Sequence, residues 1–235
     1  RIHNTWVPMF RSELSSIPAD IYSTSEYDAI FYPVARTSLR LGTSYVAIPL
    51  EYDGLAMYVN DTLLQQSGLS VPKTWDDLRK VSQTVSRCDS ETGLCRDGGR
   101  VLVSGVAMGT SGNVDHWQEI IQVLMLQNNV QLNSPAGKSA EDAFDYYTIF
   151  TKTDKTWSSN LPSSTFQFAS GKLAVYFGPS WRAFEILAQN PSLKFTIHPI
   201  PQLPVDPTRG EQPIGIASFW AEAVNKKSPN SKVSW

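Results

Sequence analysis

The sequence predicts an α/β protein. Short runs rich in β-branched, aromatic and aliphatic residues, at 44–50, 55–59, 101–108, 173–177 and 193–200, have the length and composition of strands. Between them lie stretches whose apolar residues recur at helical spacing, and glycine, proline and asparagine punctuate the joins. With 235 residues and 41% apolar content, the chain can build one large or two modest domains around a real core.

Taken in order, residues 1–47 have weak periodicity and many turn formers, and no regular element is assigned before the strand that opens at Ser44. The strands 44–50 and 55–59 are split by the polar Glu51-Tyr52-Asp53-Gly54, which reads as a bend or crossover. Asn60 or Asp61 can cap a short helix by accepting from a free first-turn amide, and Gly68 can end it in the left-handed conformation. After Pro72, Thr74 with Asp77 three residues on forms a capping-box-like start. Trp75, Leu78, Val81 and Val85 then share one helical face.

The strand 101–108 leads into Gly109-Thr110-Ser111-Gly112-Asn113, a loop without the glycine and lysine spacing that cradles a nucleotide phosphate. A helix from about Asp115, with Asp115 as its cap, carries Trp117, Ile120, Ile121, Leu124 and Met125 on its apolar face. Gly137-Lys138-Ser139 has no glycine five residues earlier and no strand leading into it, so it is not a nucleotide loop either. Ser139 instead caps a helix with Ala140, Ala143, Phe144, Tyr147 and Phe150 on one face. Ser163 or Ser164 starts a short helix closed by Gly171. Strand 173–177 ends at Gly178-Pro179, and Ser180 or Trp181 opens a helix toward Leu187. A strand over 193–200 runs into a partly polyproline-like loop reaching Pro207, and 213–220 reads as a returning crossover.

Formal charge is only −2, with no long run of either sign, so nothing draws in a phosphate backbone or an anionic membrane surface. Nucleic acid is excluded as a partner on that ground. No apolar run reaches the length of a membrane span, and the first residues lack the features of a signal peptide. Cys88 and Cys95 bracket a polar loop. They either close a disulfide worth about 2–3 kcal/mol, which an oxidising compartment favours, or remain two free thiols. Two thiolates without a nearby histidine pair do not complete a zinc shell, and Asp89, Glu91 and Asp97 lack calcium-loop spacing. No metal and no cofactor is expected.

Residues 49–78 contain the order P-x3-D-x4-Y-V-N-x7-G-L-x2-P-K-T-W-D-D-L. This resembles the sugar-binding, maltose-binding-protein-like family of bacterial extracellular solute-binding proteins, with Val59 where many members have a second tyrosine. Phe168 to Trp181, F-A-S-G-K-L-A-V-Y-F-G-P-S-W, is similar to the family's F-x-x-G-(K/E)-x-A-M-x-x-x-G-x-W, and Lys227-Ser228-Pro229-Asn230 matches its later S-P-N or S-K-N.

The resemblance implies a two-lobed periplasmic-binding-protein-like fold of type II, present in part. Residues 1–53 and 214–235 would belong to the N-terminal lobe and 54–213 to the C-terminal lobe. The start of the first lobe and the final helices would lie outside this chain. It implies a monomer in the periplasm or on the outer face of the cell membrane, lipid-anchored in a single-membrane host. That protein would capture a carbohydrate between lobes and deliver it to the membrane permease of an ABC transporter. Trp181 would stack on a sugar ring, with Trp117 and Trp220 as further aromatic faces and Phe219 or Trp220 closing over the ligand. Asp53, Asn113, Asp115, His116 and Asn4 would supply polar contacts, with His3 also within reach.

Glu51 and Asp53 also admit a hydrolase reading, since alternate residues of an extended stretch point the same way and two carboxylates can serve as acid and base. Acceptor carboxylates that only hydrogen-bond sugar hydroxyls account for them better. His3, His116 and His198 are isolated from one another and from any nucleophile motif.

Overall fold

Cap residues and buried faces decide where each element begins in the computed structural model, which describes residues 1–204, 212–230 and 234–235. Two compact units emerge, Arg1–Gly54 with Ala217–Trp235, and Leu55–Ile216. Ile214 to Ile216 fall in the second unit rather than the first, and Gly54 in the first rather than the second. Ile214 is hydrogen-bonded to Gln202 and Gln127, and Ile216 packs on the second unit's core. Among the described residues no helix is long and apolar enough to cross a membrane.

The first unit opens with β1 (Ile2–His3) and a 3-10 turn (Asn4–Trp6). Two helices follow in the region to which the sequence assigned no element, α1 (Thr24–Ile30) and α2 (Pro33–Ser38). Ser23 and Glu26 form a full capping box for α1, and Pro33 stands in the first turn of α2, where its missing N–H costs nothing. Tyr27 anchors α1: it is fully buried, stacks on Tyr45 at 3.8 Å and donates its hydroxyl hydrogen to Ala47 O. The single strand expected over 44–50 is instead β3 (Ser44–Tyr45), paired with β2 (Arg40–Leu41), and β4 (Ile48–Pro49). Val46 N bonds Leu39 O as the next pair of the β2–β3 register, whereas Ile48 and Pro49 pair elsewhere, with Glu222 and Ala221.

The second unit begins with β5 (Ala56–Asn60), whose last residue caps α3 (Asp61–Gln66) by accepting from Leu63 N. Thr74 and Asp77 form the capping box of α4 (Trp75–Val85), and Trp75, Leu78, Val81 and Val85 are all buried. Each such side chain contributes about 1.5–3 kcal/mol relative to leaving it in water. β6 (Arg87–Asp89) then pairs antiparallel with β7 (Arg100–Val106), and a disulfide joins Cys88 to Cys95 beside Val101. Helix α4 lies so close to β7 that a Cβ built on Gly105 would come within 2.4 Å of Ser82 Cα. A buried hydroxyl network lines that seam: Ser86 Oγ accepts from Gly105 N and donates to Ser82 O, and Ser82 donates to Thr156.

Helix α5 (Trp117–Gln127) starts two residues later than expected, and Asp115 does not cap it. His116 takes a left-handed conformation (φ 63°), which separates Asp115 from the first turn of α5. Helix α6 (Lys138–Lys152) is capped by Gly137, not Ser139: Gly137 O accepts from Ala140 N and Glu141 N, so Ser139 is already inside the first turn. Phe144, expected on the apolar face of α6, is 47% exposed, whereas Ala140, Ala143, Tyr147 and Phe150 are buried. Ser163 caps α7 (Ser164–Ala169).

Every residue of β8 (Leu173–Gly178) is buried, as its unbroken apolar run requires of a central strand. After α8 (Arg182–Gln189), the strand expected over 193–200 shortens to β9 (Phe195–His198). The sheet order is β6-β7-β8-β5-β9, with β7 parallel to β8 and the other pairs antiparallel. The expected loop to Pro207 lies partly outside the described residues.

Gln127, the last residue of α5, gathers distant parts of this unit. Its Oε1 accepts from Trp75 Nε1 at 2.7 Å and Leu203 N at 3.0 Å, and its Nε2 donates to Pro201 O and Ile214 O at 3.1 and 3.0 Å. The chain then rejoins the first unit, where β10 (Trp220–Glu222) lies between β1 and β4, antiparallel to both.

Candidate functional site

In the second unit, β7 and the loop after it bring Asn113, Asp115 and His116 toward α7 and α8. Asn113 is committed to the fold. Its amide nitrogen donates to Ser158 O and Leu161 O, both at 2.9 Å, and its carbonyl accepts from Trp157 Nε1 at 3.2 Å. Asp115 serves the first turn of α7, accepting from Thr165 N at 3.0 Å, Thr165 Oγ1 at 2.6 Å and Ser164 Oγ at 3.3 Å. Half-burial pushes its carboxyl pKa up. The Thr165 and Ser164 hydrogen bonds and the Arg182 charge outweigh that and hold it below its ordinary value. Trp117 is partly buried against the main core.

His116 and Trp181 meet at the start of α8. Their rings lie edge to face at 6.0 Å, and the guanidinium of Arg182 covers the Trp181 ring at 4.3 Å. Arg182 Nε donates to His116 Nε2 at 3.0 Å, and Arg182 Nη1 bonds Glu185 at 2.5 Å. Because arginine can only donate, Nε2 carries the lone pair and the neutral ring's hydrogen is on Nδ1, facing Glu119 Oε1 at 3.4 Å. The hydrogen bond to His116 keeps the Glu119 carboxyl pKa lowered against the opposing effect of its burial. Trp181 itself remains 44% exposed. The outcome is an indole platform held by a cation, with a carboxylate and a fixed imidazole beside it.

In the first unit, Asn4 is buried and both ends of its amide are used: Oδ1 accepts from Phe219 N at 3.1 Å and Nδ2 donates to Ala217 O at 3.4 Å. Its side chain fastens the returning strand. Phe219 is core, at 1% exposure. Trp220 is partly buried, in edge contact with His3 at 5.3 Å and with the exposed Trp6 at 5.4 Å, while His3 Nε2 lies 3.0 Å from Ser218 Oγ. Asp53 accepts from Gly54 N through its carboxylate and from Ser218 N through its carbonyl, and Glu51 is exposed. Among the described residues no group of three histidine, cysteine or acidic side chains could hold a metal ion.

Arg182, Glu119 and Trp6 were not picked out from the sequence as site residues. A basic residue directly after the tryptophan of the G-P-S-W motif is a usable signal for Arg182. Glu119 has only its position three residues after His116, on the same helical face.

A family model described as bacterial extracellular solute-binding protein matches residues 13–235. No curated protein matches the chain by sequence. Among solved structures, an ABC transporter solute-binding protein from Thermotoga lettingae bound with α-D-tagatose is 19% identical, with a TM-score of 0.70 over 100% of this chain and 59% of that one. The GacH receptor of Streptomyces glaucescens, solved unliganded and with acarbose, is 17% identical, with a TM-score of 0.70 over 100% of this chain and 58% of that one. A Listeria monocytogenes ABC substrate-binding protein in complex with cycloalternan is 14% identical, with a TM-score of 0.70 over 99% and 58%. The fold is shared, and this chain spans less than two thirds of the length of each.

Proposed function

The chain belongs to the family of bacterial extracellular solute-binding proteins, and from that membership we propose that it captures a carbohydrate outside the cytoplasmic membrane and hands it to the permease of an ABC transporter. The two units serve as the two lobes of the binding protein. It acts as a monomer without a cofactor, held at the outer face of the membrane by a lipid anchor. The tagatose, acarbose and cycloalternan complexes of proteins with this fold support a carbohydrate as the solute.

The observation that carries the reading is the exposed indole of Trp181, fixed at the head of α8 by Arg182 and flanked by His116. An indole face matches the C–H face of a sugar ring, and pressing the two together releases water from both. Glu119 and Arg182 supply an acceptor and donors for hydroxyl groups next to the ring. Asn113, Asp115 and Asn4 act by bracing the loops that present these groups, since their own polar atoms are engaged by the protein. In the first unit, Trp220 and Asp53 are the candidate contacts.

Calorimetry against mono- to tetrasaccharides, with product analysis, tests the proposal. Binding without turnover is expected, and Trp181→Ala should weaken it by about tenfold or more. Unchanged affinity would remove Trp181 from the site. Hydrolysis that disappears in Asp53→Asn would replace the transport reading with the hydrolase one.

A further inference from the structure

A second concavity lies in the Leu55–Ile216 unit, and neither His116 nor Trp181 lines it. A cavity of about 870 Å³ opens between the start of β7, the end of α6 and the α7 helix, within the 300–1,000 Å³ typical of small-molecule sites. Three cations line it, Arg100, Lys155 and Lys172, and no carboxylate is among its lining residues. None of the three forms an ion pair among the described residues. The nearby acids do not quench them: Asp154, next to Lys155 in the chain, is held by Arg79, and Asp89 is paired with Arg100 in the β6–β7 ladder without an ion pair between them.

A second, independent observation points the same way. Gln167 is 96% buried and lines this cavity, yet its side-chain amide has no hydrogen-bond partner among the described residues, and neither amide atom is fully shut off from solvent. A buried amide is normally satisfied, so its opening into the cavity marks a place for a ligand's polar atom. Phe166, 55% exposed at the rim, offers an apolar face beside the charges.

We propose that this cavity binds a phosphate-bearing small molecule, its anionic oxygens taken by Arg100, Lys155 and Lys172 and its remaining polar edge by Gln167. Three positive charges in one concavity call for at least two negative ones, and lysine ammonium groups meet phosphate oxygens as point charges without demanding a planar partner. The site is independent of the sugar reading and would stand if that reading failed.

The test is calorimetric titration of the whole chain with pyrophosphate at low ionic strength, with sodium chloride as the control. Saturable binding is expected. Lys155→Glu and Lys172→Glu should each weaken it by about tenfold, given the charge reversal, and Gln167→Leu by about threefold, with thermal melts confirming that each variant folds. Lys80→Glu, on the exposed side of α4, should leave it unchanged. Titration with glucose 1-phosphate and sedimentation with phosphatidylglycerol against phosphatidylcholine vesicles distinguish a soluble phosphate from a lipid headgroup. Absence of saturable pyrophosphate binding, or an equal loss in Lys80→Glu, would overturn the proposal. Undiminished binding by Gln167→Leu would overturn the assignment of its amide.

Discussion

Replacing Gln127 with methionine should cost the Leu55–Ile216 unit about 3 kcal/mol. Methionine nearly conserves the volume, so the cost comes from hydrogen bonding and not from a cavity. One buried donor, Trp75 Nε1–H, and one part-buried donor, Leu203 N–H, lose their acceptor, and an orphaned donor costs about 1–3 kcal/mol, the larger share falling on the buried indole. The carbonyls lose less. Ile214 O keeps a second donor in Gln202 Nε2 at 3.1 Å, leaving Pro201 O as the one that forfeits its side-chain partner. For a unit of this length, about 3 kcal/mol corresponds to a melting temperature lower by roughly 6–12 °C. Urea unfolding followed by tryptophan fluorescence measures the loss, and the slope against denaturant should not change. In a Trp75→Phe background the same substitution should cost about 1 kcal/mol less, because one orphan no longer exists. A loss below about 1 kcal/mol in the parent, or an identical loss in both backgrounds, would refute the account.

Gly105→Ala should destabilise by about 2–4 kcal/mol, because its Cβ would meet backbone atoms of Ser82 at 2.4 and 2.7 Å and α4 would have to back away from β7; chemical denaturation reads it against Gly112→Ala, whose Cβ would meet nothing within 4 Å. Reducing the Cys88–Cys95 disulfide, or replacing both cysteines with serine, should cost about 2–3 kcal/mol for so short a loop, seen as a lower unfolding midpoint that added dithiothreitol does not change further in the serine variant. Asp115 gives an acid limb. Its folded pKa lies below its ordinary 3.8, so its contribution is full above that value and fades as the pH falls through the folded one. Asp115→Asn should therefore flatten the loss of stability below about pH 4, and an unaltered acid limb would show that the carboxylate does not stabilise α7.

Local signals were legible wherever cap, apolar face and turn fall within a few residues. Thr74 with Asp77, Asn60 before α3 and the buried face of α4 are all written in contiguous sequence. The helices α1 and α2 were missed although Ser23 with Glu26 and Pro33 announce them, because neither helix is long enough to display a period. What no local reading reaches is the use of a side chain by a distant partner. Asp115 has the residue type of a cap, and it is one, but for a helix about fifty positions later; the left-handed turn at His116 that redirects it leaves no mark in composition. Asn4 and Asn113 look like ligand-binding amides for the same reason, while the backbone groups they satisfy lie far along the chain. The stacking of Arg182 on Trp181 is the converse case, an adjacent pair whose geometry follows only once α8 is placed.

The three-stranded sheet of the first unit has β10 in the middle, between β1 and β4. Within this chain the central strand is therefore made after both of its neighbours, once the whole of Leu55–Ile216 has been synthesised. That intervening unit is contiguous and can complete its own fold in the meantime. The β1–β10 pairing joins residues as far apart as Ile2 and Ala221, a contact of large sequence separation, which forms slowly because the loop must close first. A nascent chain stalled before Trp220 should therefore carry a protease-resistant second unit on a protease-sensitive beginning.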